Sequence, residues 1–458
     1  MLPDTENKYD AYAVLRNREF RLFVAMRFLL TLGIQIQSTI VGWQIYEITN
    51  DPLSLGLIGL AEAVPFMSVI LYGGHLADLC SRKKLIVWAL CAYLVGAGLL
   101  FFFTLRPAQF VNHYGTLPIY AVVFLTGLAR GFGGPAISAF VAQLVPRGQY
   151  TNASTWNTTF WQVAAVSGPA LGGLIYAFSK NGLPKIVSLP VRQAGFETAE
   201  PGLNYGGIAA YGTVIVLVLA AIGCLLFIAA KPMQRSENRE PLTRRLADGV
   251  RFVFGNQIIL SALTLDLFAV FFGGAVALLP IFAKEIIVAG PDAWGLLKDP
   301  SVRLGLLRAS PSVGAALMGL VLAHRPPLRD TGKKLLFYVA GFGVCMILFA
   351  LSSNFYLSFG ILALSGALDG MSVVIRSTIL QLMIPDNMRG RVSAVNSIFV
   401  GSSNEIGSFE SGVAARLLGL VPSVVFGGCM TLAVVAVTAR VAPKLRNLQM
   451  ESIEQPET

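Results

Sequence analysis

The sequence predicts an all-α integral membrane protein whose twelve transmembrane helices form two pseudo-symmetric six-helix bundles. Three observations predict this fold. Of the 458 residues, 55% are hydrophobic and 13% are charged, whereas a soluble domain carries about 25% charged residues. Twelve apolar segments each approach the ~20 residues that a helix needs to cross a bilayer. The first six segments also share small and polar residues with the last six at matching spacings, which indicates an internal repeat.

The predicted spans fall into two sets of six with a charged stretch between them. Spans 1 to 6 are residues 22–46, 53–77, 85–105, 117–145, 155–178 and 206–230. Spans 7 to 12 are residues 258–287, 304–323, 335–351, 355–384, 392–418 and 421–441. The domain organisation that follows is a cytoplasmic segment (1–21), a first bundle (22–230), a cytoplasmic linker (231–257), a second bundle (258–441) and a cytoplasmic tail (442–458).

Lysine and arginine are distributed unequally between the loops on the two sides. If the N-terminus is cytoplasmic, the inside loops hold about 23 of these residues and the outside loops about eight. The outside count includes Arg303 and Arg308, which we assign to the connection between spans 7 and 8. An excess of basic residues in the cytoplasmic loops is the usual arrangement of membrane proteins. The sequence therefore predicts that both termini lie in the cytoplasm.

Several classes of function receive no support from the residues. The net charge is +10, but the basic residues lie in short loops rather than in a long basic tract, so nucleic-acid binding is not expected. The five cysteines are isolated, and they form neither a disulfide framework nor a metal site. The sequence contains no nucleophile–base arrangement and no phosphate-binding loop. We therefore expect no enzyme activity, no metal and no cofactor.

The internal repeat is seen in residues that recur at matching positions of the two halves. The matched pairs are Asn17 and Asn256, Arg27 and Asp266, Arg130 and Asp369, Pro146 and Pro385, Asn157 and Asn396, Gly168 and Gly407, and Gly173 and Gly412. Coincidence among apolar segments is the alternative, but shared Gly, Pro and Asn at constant spacing argue against it. Two similar bundles are expected to meet along a seam, with a site near the midplane that is exposed alternately to each side.

The loop after the second span carries a recognisable motif. Residues 73–84 read GGHLADLCSRKK, which resembles the G-x-L-x-D-x-x-x-R-[KR] gating loop of the major facilitator superfamily. The match covers Gly74, Leu76, Asp78, Arg82 and Lys83. The second-half copy, at residues 324–334, lacks the acidic residue. The resemblance extends over nearly the whole chain and implies a major facilitator fold with a gate at this loop.

Two further motifs carry the same resemblance. Residues 128–134 (LARGFGG) are similar to the R-G-x-G pattern of drug and solute antiporters. Gly168, Pro169, Gly172 and Gly173 match the G-P-x-x-G-G antiporter motif, with Ala164 where a glycine usually stands. This motif implies a bend in span 5 and favours efflux. Residues 17–47 together with residues 53–84 look like a bacterial subgroup of enterobactin-exporter-like and macrolide-efflux-like proteins, which implies the bacterial cytoplasmic (inner) membrane.

Ionisable residues inside the spans are the candidates for the transport mechanism. Such side chains are costly in hydrocarbon and usually face a cavity or a partner. The candidates are Arg27, Glu62, Arg130, Asp266, Asp369, Arg376 and Glu405. We expect the matched residues Arg130 and Asp369 to lie across the seam from each other, and Arg27 and Asp266 to form a second such pair. Asp266 is the first choice for binding the coupling proton, followed by Glu62 and then Glu405. The alternative for Arg130 is a buried ion pair that only fixes helix packing, and the alternative for each of the three carboxylates is a structural hydrogen bond to a neighbouring helix.

Polar and aromatic residues in the spans predict the wall of the substrate cavity. They are Gln37, Gln44, Trp156, Asn157, Trp161, Asn396 and Asn404. An apolar cavity with a few polar groups suits a small amphiphilic ligand. Packing within a bundle and contact with lipid are the alternatives for the aromatic residues.

The function that follows is secondary active transport, with proton-coupled export of a siderophore-like or drug-like compound by alternating access. The expected partners are a small-molecule substrate, protons and the lipid bilayer. An uptake symporter or uniporter is the alternative within transport. A non-transporting scaffold or receptor is a third class, and the longest predicted outside loop is too short to form a domain. Whether the protein acts as a monomer is left open.

Overall fold

The computed structural model describes residues 12–105, 113–193, 204–229, 242–288, 290, 295–324, 330–385 and 388–449. We number the main helices of the twelve spans in this part α1 to α12. In the first half they are α1 (Arg18–Thr49), α2 (Pro52–Leu79), α3 (Arg82–Leu105), α4 (Leu117–Leu144), α5 (Tyr150–Gln193) and α6 (Tyr205–Leu226). In the second half they are α7 (Gln257–Phe272), α8 (Pro300–His324), α9 (Thr331–Leu351), α10 (Phe355–Met383), α11 (Arg389–Leu418) and α12 (Leu420–Val441).

Short helical segments complete the described structure. The span begun by α7 continues to Ile286 through Ala275–Leu278, Leu279–Ile281 and Phe282–Ile286, which together with α7 form a membrane-length segment. The linker helix is Leu242–Gly255, and it falls within the predicted linker. Single turns occur at Ala13–Arg16, Arg147–Gln149, Gly295–Lys298 and Pro443–Arg446. The predicted all-α fold with twelve membrane-length helices is confirmed.

Two of the twelve helices are less apolar than the rest. Ten of the described helical segments are long and apolar enough to cross a membrane, and α5 and α11 are not among them. These two helices occupy matching places in the two halves. Each packs against the opposite bundle, α5 against α8 and α11 against α2. Their polar residues are therefore explained by a position at the seam rather than in contact with lipid.

The repeat found in the sequence is also seen in the caps of the helices that open each half. The side chain of Asn17 accepts hydrogen bonds from the backbone N–H groups of Glu19 and Phe20 at the start of α1. Asn256 does the same for Ile258 and Ile259 at the start of α7. An asparagine at this position satisfies amide groups that have no partner inside the helix. The two halves thus begin with the same local structure.

The chain reverses direction after each span, so the helix ends form two faces. We call the face with the start of α1 and the linker helix the linker side, and the opposite face the far side. Within the first half, α2 packs on α4 and α1 packs on α5 and α6. Within the second half, α8 packs on α10 and α7 packs on α11 and α12. The two bundles contact each other chiefly through the matching helix pairs α2–α11 and α5–α8.

Glycines allow the bundles to touch closely near the far side. A Cβ atom on Gly412 would lie 2.7 Å from the Cα of Gly56, and one on Gly56 would lie 3.0 Å from the Cα of Gly412. Gly173 and Gly305 make the matching approach between α5 and α8, where a Cβ on either would lie 3.2 Å from the Cα of the other. Helices approach this closely only where side chains are absent.

Polar links join the same ends of the two bundles. The Nζ of Lys284 donates to the Oδ1 of Asn50 at 2.9 Å, and the hydroxyl of Tyr46 donates to the carboxylate of Glu285. Arg416 lies 3.7 Å from the carboxylate of Asp51. These links and the glycine contacts hold the far side closed in this structure.

Gly412→Ala tests whether close packing closes the far side. The new methyl group would clash with the backbone of α2 at Gly56, so we expect the far-side ends of the bundles to move apart. Spin labels at Leu117 and Tyr356, which are exposed at the far-side ends of α4 and α10, would report a shift to longer distances in a chain whose native cysteines are replaced. Gly98→Ala is the matched control because nothing lies within 4 Å of its Cβ position. An unchanged distance distribution in Gly412→Ala would contradict the expectation.

Candidate functional site

A cavity of about 650 Å³ lies between helices of both bundles. Gly74 and His75, close to the linker-side end of α2, line it together with Gly390 and Arg391 at the start of α11. The cavity therefore opens toward the linker side, and the far-side contacts close its other end. Its size is suited to a drug-sized ligand, since ligand pockets span about 300–1,000 Å³.

The closed end of the cavity is formed by Arg130, which makes two ion pairs. Its Nη1 lies 2.8 Å from the Oε1 of Glu62 on α2 and 2.7 Å from the Oε1 of Glu405 on α11. Its guanidinium also lies 4.7 Å from the ring centroid of Phe66. The side chain of Arg130 remains 39% exposed toward the cavity. Because Glu405 belongs to the second bundle, this arginine joins the two bundles across the seam.

Arg308 is a second cation at this level, and it approaches from the second bundle. Its Nη2 donates to the Oγ of Ser38 on α1 at 2.7 Å, and its Nη1 donates to the backbone carbonyl of the same residue at 3.4 Å. It lies within electrostatic range of Glu62 and Glu405. Two arginines and two glutamates therefore form one cluster, which we call the seam cluster (Glu62, Arg130, Arg308 and Glu405).

The assignment of Arg303 and Arg308 to an outside loop was wrong. The helix α8 begins at Pro300, so both arginines lie inside it. Arg303 is buried and donates to the backbone carbonyls of Ala283, Leu297 and Lys298. Arg308 stands among Leu306, Leu307 and Ala309, and a charge between apolar neighbours was the signal that could have marked it as a functional candidate.

A second group of charges is buried inside the second bundle. Asp266 on α7 forms an ion pair with Arg376 on α10, and their side chains are 7% and 8% exposed. Asp369 on α10 lies within electrostatic range of both. Within the described part of the chain, Asp369 makes no hydrogen bond or ion pair. We call these three residues the inner cluster.

The structure does not bring together the charge pairs that the repeat suggested. Arg130 contacts Glu62 and Glu405 rather than Asp369, and Asp266 contacts Arg376 rather than Arg27. Positions related by a pseudo-symmetry axis are equivalent in their own bundles, but they face each other only when both lie on the seam. Asp266 and Asp369 lie inside the second bundle, where Asp266 pairs with Arg376 of that bundle and Asp369 lies within electrostatic range of the same arginine.

Arg27 lines the cavity on α1 and is half-buried. Among the described residues it has no hydrogen-bond or ion-pair partner. Trp161 on α5 lines the cavity as well and is 43% exposed. Both side chains therefore border the described cavity.

The predicted cavity glutamines of α1 are instead buried. The hydroxyl of Tyr211 donates to the Oε1 of Gln44 at 2.7 Å, and the Nε2 of Gln44 lies 3.3 Å from the Oγ1 of Thr104. These contacts join α1, α3 and α6 within the first bundle. Gln37 is also buried and does not line the cavity. For Gln44 the prediction of a cavity position was wrong because hydrogen bonding inside a bundle also requires a polar side chain.

Four other predicted cavity residues also lie elsewhere. Trp156 packs against the rings of Tyr12 and Phe160. Asn157, Asn396 and Asn404 are on the seam helices α5 and α11, but they do not line the described cavity. Asn404 donates to the backbone carbonyl of Val400 in its own helix at 2.9 Å. A seam helix has several polar faces, and the sequence alone did not separate them.

The basic residues of the predicted gating loop contact their own bundle. Arg82 donates to the backbone carbonyl of Ala139 on α4 at 2.8 Å. The Nζ of Lys83 donates to the backbone carbonyl of Leu226, the last residue of α6, at 3.1 Å and to that of Ile228 at 2.5 Å. Asp78 lies in α2, but its side chain is outside the described part of the structure. In this state the loop ties α2, α4 and α6 together and leaves the cavity mouth open.

The antiporter-like glycines of α5 lie in close helix contacts. The helix continues on both sides of Pro169. A Cβ on Gly168 would clash with Gln35 of α1, and one on Gly172 would lie 3.4 Å from the backbone of Ile36. Gly173 faces α8. In the described structure Gly168 and Gly172 therefore serve close packing against α1 within the first bundle, and Gly173 serves close packing at the seam.

A contact that the sequence gave no reason to expect lies at the cavity mouth. The Nη1 of Arg391 on α11 lies 2.7 Å from the Oδ2 of Asp248 on the linker helix. Arg391 also lines the cavity. The linker helix is thus attached to the rim of the cavity.

Comparison with known proteins identifies related chains. A family model described as Major Facilitator Superfamily matches residues 23–408. The enterobactin exporter EntS of Escherichia coli O1:K1 / APEC is 27% identical over 388 residues, which cover 82% of this chain and 80% of that protein. The enterobactin exporter EntS of Escherichia coli O139:H28 (strain E24377A / ETEC) is 26% identical over 383 residues, with the same coverage.

Solved structures share the fold at low sequence identity. A bacterial homolog of the human lysosomal transporter Spinster, in an inward-facing and occupied conformation, has a TM-score of 0.70 at 13% identity, covering 94% of this chain and 98% of that chain. A D-xylose-proton symporter has a TM-score of 0.66 at 14% identity, covering 94% and 99%. A bacterial homologue of the iron transporter ferroportin has a TM-score of 0.63 at 17% identity, covering 94% and 99%.

Asp266→Ala tests how much the buried ion pair of the inner cluster contributes to the stability of the fold. Removing one partner of a buried ion pair leaves an uncompensated charge, so we expect the free energy of unfolding to fall by about 3–5 kcal/mol. The double variant Asp266→Leu with Arg376→Met is expected to recover most of this loss because it removes both charges. Asp369→Asn is the control and should have a smaller effect. Unfolding in lipid bicelles measures all three variants, and equal losses in the single and double variants would contradict the assignment.

Proposed function

Because this chain belongs to the major facilitator superfamily of membrane transporters, we propose that it exports a small amphiphilic compound in exchange for protons by alternating access. The observation that carries the proposal is a cavity that is open on one side and closed on the other, with an ion pair between the bundles at its closed end. A cavity between two homologous bundles can be exposed to either side if the bundles rock about their seam.

The proposed orientation places the linker side in the cytoplasm. The chain is a multi-pass inner-membrane protein, and its lysines and arginines are concentrated in the loops and termini of the linker side. Positively charged loops remain cytoplasmic in such proteins. Both termini are then cytoplasmic, and the open cavity faces the cytoplasm, from which an exporter takes its substrate.

Two observations support export over uptake. The related Escherichia coli proteins are named enterobactin exporters, and the glycines of α5 match a motif associated with antiporters.

The cavity also suits the compounds proposed. It combines the arginines Arg27 and Arg130 with the aromatic rings of Phe66, Tyr93 and Trp161. Siderophore-like and drug-like compounds carry both polar groups and apolar rings.

Proton coupling is best supported at the seam cluster. Glu62 and Glu405 share Arg130, so protonation of Glu405 would weaken the link between the bundles. In exchange for an exported compound, Glu405 would take its proton while the cavity is open to the far side. Once the bundles have rocked back to the state described here, release of that proton on the linker side would restore the link. We therefore propose Glu405 and Glu62 as the coupling carboxylates. Asp266, the first choice from sequence, is paired with Arg376 away from the described cavity.

Everted membrane vesicles test the proposed function. In such vesicles the cytoplasmic face is outside, and respiration acidifies the lumen. We expect vesicles that contain the protein to accumulate one or more members of a panel of fluorescent amphiphilic compounds, and to release them when an uncoupler is added. Vesicles with Arg130→Gln serve as the control. Loss of preloaded compound on acidification of the lumen would instead indicate proton symport toward the cytoplasm and would refute export.

Glu405→Gln tests the coupling carboxylate. Glutamine keeps the size of the side chain but cannot bind and release the proton, so we expect transport driven by a pH gradient to fall to the rate without a gradient. Exchange of labelled for unlabelled substrate at equal pH should persist, because it needs no net proton movement.

Glu410→Gln is the matched control for this experiment. Glu410 lies on the same helix as Glu405 and receives the same substitution, but its described contact is with Ser411 rather than with an arginine. Proteoliposome flux under an imposed pH gradient measures both variants. Normal coupling in Glu405→Gln together with lost coupling in Asp266→Asn would move the proton site to the inner cluster.

A further inference from the structure

The arginines that line the described cavity differ in how their charge is compensated. Arg130 is paired with Glu62 and Glu405, and Arg391 is paired with Asp248. Arg27 has no ion-pair or hydrogen-bond partner within the described ranges. A half-buried guanidinium in a membrane protein is costly unless it meets water or an anion. Among the described residues, Arg27 is therefore the cavity charge that has no counter-charge.

The described lining of the cavity contains no acidic side chain that could act as the counter-ion of Arg27 in place of a ligand. Among the described side chains, no aspartate or glutamate lines the cavity. The acids of the seam cluster lie behind Arg130 and are already paired with it. The electrostatic field inside the cavity is therefore positive, and it favours ligands that carry negative charge.

The surroundings of Arg27 indicate what else the ligand must carry. Thr31 and Ile34 continue the cavity face of α1 beyond Arg27, and Phe66, Tyr93 and Trp161 supply aromatic surface to the same cavity. Ser38, which binds Arg308 at the seam cluster, lies eleven residues along α1, or about 16 Å at 1.5 Å per residue. The space between the two levels is long enough for an extended apolar body.

From this arrangement we propose that Arg27 is the anchor for an anionic group, and that the cavity takes amphiphilic organic anions with an aromatic or apolar body. A guanidinium binds carboxylates and similar oxyanions with two parallel hydrogen bonds, which gives both affinity and orientation. The anion would lie toward the cytoplasmic mouth and the apolar body toward the seam cluster. This inference rests on the proposed transport function and names the substrate class of the same cavity.

A matched set of naphthalene probes tests the anchor. 2-Naphthoate, 2-naphthamide and 2-naphthylmethylammonium share one ring system and carry a charge of about −1, 0 and +1 at neutral pH. We measure their equilibrium binding to the full chain in nanodiscs of neutral lipid by displacement of radiolabelled 2-naphthoate. Loss of a charge-assisted hydrogen bond weakens binding by about tenfold or more. We therefore expect 2-naphthoate to bind at least about tenfold more tightly than the amide and the ammonium compound to bind most weakly.

Variants of Arg27 separate its charge from its packing. Arg27→Gln should abolish the preference for 2-naphthoate over 2-naphthamide, and Arg27→Lys should retain part of it because the positive charge remains. Arg21→Gln is the matched control, since Arg21 is on the same helix and is exposed outside the cavity. If Arg27→Gln does not fold, the comparison of wild type with Arg27→Lys still tests the assignment. An undiminished preference in Arg27→Gln, or equal binding of the three probes to the wild type, would overturn the proposal.

Two further outcomes have defined meanings. If acetate competes as strongly as 2-naphthoate at equal concentration, the site binds simple anions and the amphiphile assignment fails. Binding is measured at equilibrium, so its result is independent of transport. A chain that prefers 2-naphthoate but moves no compound in vesicles refutes the proposed function and leaves the anchor intact. A chain that exports compounds without regard to charge refutes the anchor and leaves the function intact.

Discussion

The ion pairs of Arg130 are the interaction on which the rest of this structure depends. One guanidinium neutralises Glu62 from its own bundle and Glu405 from the other. The charges lie deep between helices, where each would be costly alone. Pairing offsets that cost and at the same time fixes how the bundles meet. A link made of a few titratable groups can also be undone by one proton, whereas the packing inside each bundle cannot. The contact that stabilises this state is therefore also the one through which a proton could change it.

The remaining inter-bundle contacts are of a different physical kind. Near the far side, Gly56 with Gly412 and Gly173 with Gly305 bring backbones together without side chains. Such contacts are short in range, because dispersion attraction is lost once the surfaces separate by even a small distance. The seam therefore combines two kinds of contact, namely close backbone packing at these glycines and ion pairs at the seam cluster. The first gives a tight seal, and the second gives a point that responds to charge.

The two charge clusters show that burial of an ionisable group has more than one use. Asp266 and Arg376 are almost fully buried inside the second bundle, where an ion pair can fix the relative position of α7 and α10. The seam cluster lies between bundles and borders the cavity. Arg27 belongs to neither cluster and faces the cavity without a partner in the described chain. We therefore propose different uses for different arginines of one membrane domain: Arg376 for structure, Arg130 for coupling and Arg27 for ligand binding.

The sequence by itself determined the number of spans, the internal repeat, the family motifs and the identity of most residues that now form the two clusters. Hydropathy and repeat spacing are properties of the linear sequence, so they can be recognised without knowledge of the fold. Only the tertiary structure decided which charges pair. The repeat suggested Arg130 with Asp369, whereas the structure pairs Arg130 with Glu62 and Glu405 and places Arg308 beside them. Spans that are apolar on most of their surface do not reveal which face meets the seam, because that depends on how twelve helices rotate and pack together. The same reason explains why Gln44 was predicted in the cavity and lies within a bundle.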